Sequence, residues 1–327
     1  MSLVRWSSRA QAEARILLLD RTIRAVLVGT VLACVVVGFA NGLKRTEAQS
    51  NLDFYGTRLD QLAAAEASGE TEFEGMPIES FAPSILSAVD RAELDLQYGS
   101  LVGVIEAILA FMATAGGAVA GIAVGAVSVG RDFERRTWFH ELVSARSRRE
   151  MAANKVVAAV LTLMGTLAVG SLVAVVAALV GQSIGGNFGL GAIRWQLGVG
   201  VLVAAFVGTL WVLLGQVGGF LASRSGVGAA VAGLILMIDG SVSVNSANWA
   251  GWMMTARVTG LSRLWAPTSP VFVETGVTTS IVWWTTHEEI GSYRPVGGLV
   301  AVIAFGILWW WLVRLFSSHV PVSDVRG

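Results

Sequence analysis

Long apolar stretches separated by short polar ones set the frame of this chain. The runs Ala25–Leu43, Ala107–Gly130, Val156–Ile193, Trp195–Ser223 and Pro295–Val313 carry almost no charge. Each reaches the roughly 18–20 residues that take an α-helix across about 30 Å of hydrocarbon. A sixth stretch, Gly226–Val244, has the length but is interrupted by Asp239. The pattern predicts an all-α membrane protein with six transmembrane helices. Ahead of the first run, Leu3, Trp6, Ala10, Ala14 and Leu17 recur at three- and four-residue spacing, with Arg5 and Arg9 on the other side. That predicts an amphipathic helix over residues 1–24, lying in the inner interface with its arginines against lipid phosphates.

The remaining segments divide the transmembrane domain, residues 25–327. Residues 44–97 are polar, with an Ala-rich middle, "LDQLAAAEA", that favours helix. "SGETEFEG" reads as a turn, and Pro77 and Pro83 predict a second break. A small helical insertion outside the membrane is expected there. Gly117, Gly121 and Gly125, with Ala113 before them, clear one face of the second crossing for close helix contact. The spacing fits packing within the subunit and a subunit–subunit seam equally. Residues 245–297 hold Trp249, Trp252, Trp265, Pro267 and Pro270 among apolar neighbours, which predicts outer re-entrant helices before the last crossing.

Composition agrees. Of 327 residues, 54% are hydrophobic and 14% charged, where a soluble domain carries about 25%. The charge distribution supplies an orientation through the cytoplasmic excess of Lys and Arg. Residues 1–24 hold Arg5, Arg9, Arg15, Arg21 and Arg24, and residues 131–155 hold six arginines and Lys155. The 44–97 segment carries mainly acids, from Glu47 to Asp95. Both termini and the 131–155 block are therefore expected in the cytoplasm, and 44–97 outside, in a multi-pass protein of the cell membrane. With zero net charge, no nucleic-acid partner is expected. Cys34, the one cysteine, reads as a small buried hydrophobe in the first crossing.

Several chemistries are excluded. A phosphate-binding loop needs lysine after glycine, yet Lys44 follows Leu43 and Lys155 follows Asn154. No nucleotide motor is expected in this chain. His140–Glu141 opens like a zinc-peptidase motif, but Ser144 stands four residues after His140. "GQSIG" at 181–185 has the letters of a serine-nucleophile turn without its strand or histidine. Neither an enzyme nor a bound metal or cofactor is expected. Glu106 and Asp239 stand in apolar surroundings, where a charge costs several kcal/mol unless it meets water, a partner or a proton. They are candidate residues of a translocation path.

The block from Glu134 to Lys155 reads as two short helices with a break near Ser144–Ser147. Ser147 and Glu150 have the spacing of a capping box. Glu134, Thr137, Leu142, Ser147, Arg148 and Lys155 stand in register, without a gap, with the loop of ABC-2 type exporter permeases. In that family the loop reads Glu, two residues, Thr, a leucine-rich helix, Pro-x-Ser-Arg and, seven residues later, Lys. The chain resembles that family over about 22 residues in motif and over most of its length in order of elements. Arg136 stands where the family has Gly, Ala145 where it has Pro, and Asn154 where Gly is common.

The resemblance implies the membrane subunit of an ATP-driven exporter. Two ATP-binding subunits holding ATP and Mg would dock on the 131–155 region. A second permease copy, or a related permease, would complete the pathway. Glu134, Arg135, Thr137, Trp138, Leu142 and Arg148 are the implied coupling residues, with Trp138 as the buried anchor. Surrounding membrane lipids and an extracytoplasmic protein at 44–97 complete the expected partners. The alternative is a non-transporting scaffold, or a mechanotransmission subunit, acting on that outer protein.

Overall fold

The computed structural model describes residues 3–73, 76–137, 148–193, 195–245, 254, 258, 261 and 295–319. Helix dominates. The described helices are α1 (Leu3–Leu19), α2 (Arg21–Ala67), α3 (Ile78–Tyr98), α4 (Leu101–Phe111) and α5 (Ala115–Glu134). Beyond them lie α6 (Arg148–Gly185), α7 (Trp195–Ala222), α8 (Ser225–Asn245) and α9 (Pro295–His319). Two short strands, β1 (Glu72–Phe73) and β2 (Met76–Pro77), pair antiparallel between α2 and α3, with Phe73 opposite Met76.

Four of these helices are long and apolar enough to cross a membrane: α2, α6, α7 and α9. Counting α3 and α4, which meet at 83°, as one bent span makes five. The architecture is compatible with a multi-pass membrane protein. The first apolar run and the polar segment that begins at residue 44 share one helix, α2, 47 residues long. At 1.5 Å per residue it is about 70 Å long, more than twice the hydrocarbon thickness. Asp20 starts it, its carboxylate accepting from the N–H groups of Thr22 and Ile23. The chain turns back at Gly69, which holds φ of 81°.

Pro83 does not break the 44–97 insertion as expected, because it lies inside α3. The proline removes one hydrogen bond near the start of the helix, and packing of α3 on α2 offsets it by burying Ile85, Ala92 and Tyr98. The second apolar run is likewise not one helix. It stops at Phe111 and restarts at Ala115, with Thr114 capping α5 through a bond from the Gly117 N–H. Trp211 of α7 closes the break by donating its indole N–H to the Met112 carbonyl at 2.9 Å.

The core lies where α5 meets α7 and where α2 meets α6. The glycine stripe settles inside the subunit: a Cβ on Gly121 would stand 2.5 Å from the Trp211 Cβ. One on Gly125 would overlap the Val212 carbonyl oxygen. Small residues on α7 answer them, since a Cβ on Gly215 would overlap the Ile122 carbonyl oxygen. Two backbones approach closely here through reciprocal loss of side chains. Of the 245–297 region, Met254, Val258 and Leu261 are described, each helical and buried. The expected re-entrant helices otherwise lie outside the described residues.

Candidate functional site

The end of α5 carries the first part of the site. Three backbone bonds close the helix: Arg135 N–H to Arg131 C=O, Arg136 N–H to Phe133 C=O, and Thr137 N–H to Asp132 C=O. The last two form the paired closure of a Schellman motif, whose turning residue adopts the left-handed conformation and is usually Gly. Here that residue is Arg136, with φ of 57°. This is the position at which the chain departs from the Gly of the permease motif. The Thr137 hydroxyl adds a bond to the Asp132 carboxylate at 3.3 Å, so Thr137 faces back to the helix it follows.

Beneath that turn sits a buried group of charges drawn from three helices. The Lys155 ammonium of α6 contacts the Asp132 carboxylate of α5, and both side chains are 2% exposed. Glu13 of α1 approaches the same ammonium at 3.8 Å. Arg131 lies 3.9 Å from Asp132 and donates to the Ile16 carbonyl of α1 at 3.1 Å. Two cations and two anions thus balance. In a low-dielectric interior that balance is what makes their burial tolerable. Arg131 is well placed at α1, because the last carbonyls of a helix lack partners and carry negative partial charge.

Arg135, 60% exposed on its side chain, approaches Asp20 at 3.8 Å, at the junction of α1 and α2. Glu134 reaches in a different direction. Its Oε1 accepts from the backbone N–H and the hydroxyl of Ser225, at 2.8 and 2.7 Å, at the first residue of α8. Its carboxylate therefore occupies the place of a capping side chain and meets the positive end of that helix. Of the coupling residues implied by sequence, Glu134, Arg135 and Thr137 stand at the end of α5 and turn to three different partners, Ser225, Asp20 and Asp132. Arg148 opens α6. Trp138 and Leu142 lie outside the described residues, as do Ser147 and the break expected near it.

The two acids of the expected path sit apart from this cluster in the chain's organisation. Glu106 is buried in α4. Asp239 of α8 accepts from the Met254 N–H at 3.0 Å, which ties α8 to the segment that follows it. Neither lines either of the two cavities described: an apolar groove against α1, α2 and α6, and a polar cleft between α2 and α3. Among the described residues no group of three or more His, Cys, Asp and Glu side chains is placed to hold a metal ion.

Sequence reasoning passed over Glu13, Asp20, Arg131 and Asp132. A signal was present: Asp132 and Lys155 each stand at the edge of an apolar run, and Lys155 is one of two lysines in the chain. No protein-family model, curated protein or solved structure matches this chain.

Proposed function

We propose that this chain is the membrane subunit of an ABC exporter of the ABC-2 permease type. A separate subunit hydrolyses ATP with Mg, and the work moves a lipid-like, amphiphilic or polymeric substrate across the cell membrane. One observation carries the reading. At the base of the 134–148 connection, Asp132, Lys155 and Glu13 join α5, α6 and α1, and Glu134 joins α5 to α8. A push on that connection is delivered to four helices at once, which is what a subunit without a motor requires. In this reading the termini and the connection face the cytoplasm, six crossings form the domain, and Trp138 and Leu142 meet the ATPase.

The test is co-purification with an ATP-binding subunit, followed by charge reversal of Glu134 and Arg135 together. ATP hydrolysis should continue while transport stops. Ser225→Ala serves as the control, because it weakens the α5–α8 link without altering charge. Retained coupling in the double reversal removes these residues from the route by which force reaches the helices.

A second reading rests on α2. A single helix joins the base of the molecule to the outer insertion, and α3 packs along it. Such a rod would carry motion to an extracytoplasmic protein without any substrate crossing. Capture of an outer protein through 44–97, with no transport by the reconstituted complex, would favour it.

A further inference from the structure

The open apolar groove has a volume of about 760 Å³. Three helices each give it one continuous face. From α1 come Gln11, Ala14, Arg15 and Leu18, at the i, i+3, i+4 and i+7 spacing of one helical stripe. Leu27, Val28, Val31 and Leu32 of α2 form a second wall. Leu161, Gly165 and Val169, with Thr162 and Thr166, form the third, on α6. The two threonine hydroxyls are already committed to their own helix, donating to the carbonyls of Ala158 and Thr162 at 2.9 and 2.8 Å. The groove therefore offers hydrocarbon along its length and polar atoms chiefly at the α1 end.

We propose that this groove binds one anionic phospholipid, with an acyl chain along α2 and α6 and the phosphate held by Arg15 and Gln11. Charge decides the headgroup. Arg15 is exposed, forms no ion pair among the described residues, and stands at the rim with Arg21 and Arg24 also exposed nearby in the chain. A phosphate bears the complementary charge. Length decides the tail. The α6 wall from Leu161 to Val169 rises about 12 Å, close to the roughly 15 Å depth of one leaflet. An acyl chain beside α1 would run from the interface to about the midplane. Gly165 sets the width, because a Cβ there would meet no atom within 4 Å. The site rests on α2 and α6 crossing a bilayer, and not on the ATPase partner.

The full chain, reconstituted in nanodiscs of equimolar POPG and POPC, is released for native mass spectrometry. The wild type should retain one POPG per chain with about fivefold preference over POPC, the ratio one basic contact supplies at an anionic leaflet. Arg15→Gln should bring that ratio near one, and Gly165→Phe should remove the retained lipid of either headgroup. Equal retention by the wild type, or an unchanged ratio in Arg15→Gln, overturns the proposal. So does a Gly165→Phe variant that keeps its lipid, or one that loses only a second copy of the chain. Should Gly165→Phe fail to fold, Arg15→Gln decides alone. A chain that never enters the nanodisc fails the membrane reading instead, so the two failures are distinct.

Discussion

Glu134 and Ser225, 91 positions apart, meet so that one carboxylate oxygen accepts both donors of the serine, at 2.7 and 2.8 Å. The residue marked by sequence as an outward contact is thus committed to starting a neighbouring helix. Removing it leaves the first N–H of α8 without its acceptor. Glu134→Ala should cost about 1 kcal/mol, and Glu134→Gln less, since the amide oxygen still accepts. Hydrogen exchange at the first turn of α8 reads this directly. Combined with Ser225→Ala, the Glu134→Ala loss should be less than additive, as expected for two members of one contact.

Arg136 occupies a left-handed position that suits Gly, at φ of 57°. An L-residue there carries a steric penalty that Gly avoids. Arg136→Gly should therefore raise stability by about 1 kcal/mol, read as a higher midpoint of unfolding in detergent. Arg136→Val should lower it, because a β-branched side chain tolerates that conformation least. An unchanged midpoint in both would mean the turn does not hold this backbone in solution.

The Lys155–Asp132 contact predicts a strong asymmetry between single and double changes. Lys155→Met or Asp132→Asn alone leaves an uncompensated charge where each side chain is 2% exposed. Either should cost about 3–5 kcal/mol. Lys155→Met with Asp132→Leu should cost much less than the sum, because both charges leave together. Thermal unfolding of the three variants checks this, and additive losses would contradict a direct pairing.

The α5–α7 seam predicts that the smallest enlargement is felt. Gly125→Ala places a methyl group on the Val212 backbone and should cost about 1–3 kcal/mol. Gly29→Ala is the matched control in α2, where a Cβ meets nothing within 4 Å. It should leave the unfolding midpoint unchanged or slightly raised.

Much of the helical frame was legible in the chain. The apolar runs located α6, α7 and α9, the N-terminal spacing located α1, and the buried Ala10 and Leu17 lie on its expected apolar face. The turn at "SGETEFEG" fell where Gly69 reverses the chain and the two strands pair. The break at Met112–Thr114 was not legible, because the residues around it are as apolar as those that continue a helix. The Met112 carbonyl at that break is taken up by an indole N–H from a residue 99 positions away. Pro83 misled in the opposite sense, since a local preference yielded to packing of α3 on α2.

By itself the sequence determined which stretches fold as helix and which suit hydrocarbon, because both depend on the side chains within one stretch. Helical periodicity and transfer free energy are local sums. Only the tertiary structure decided that Lys155 meets Asp132, that Glu134 begins α8, and that the glycine stripe lies inside the subunit. Those outcomes depend on which helices stand side by side. A charge at the edge of an apolar run looks the same whether water or a partner from another helix awaits it.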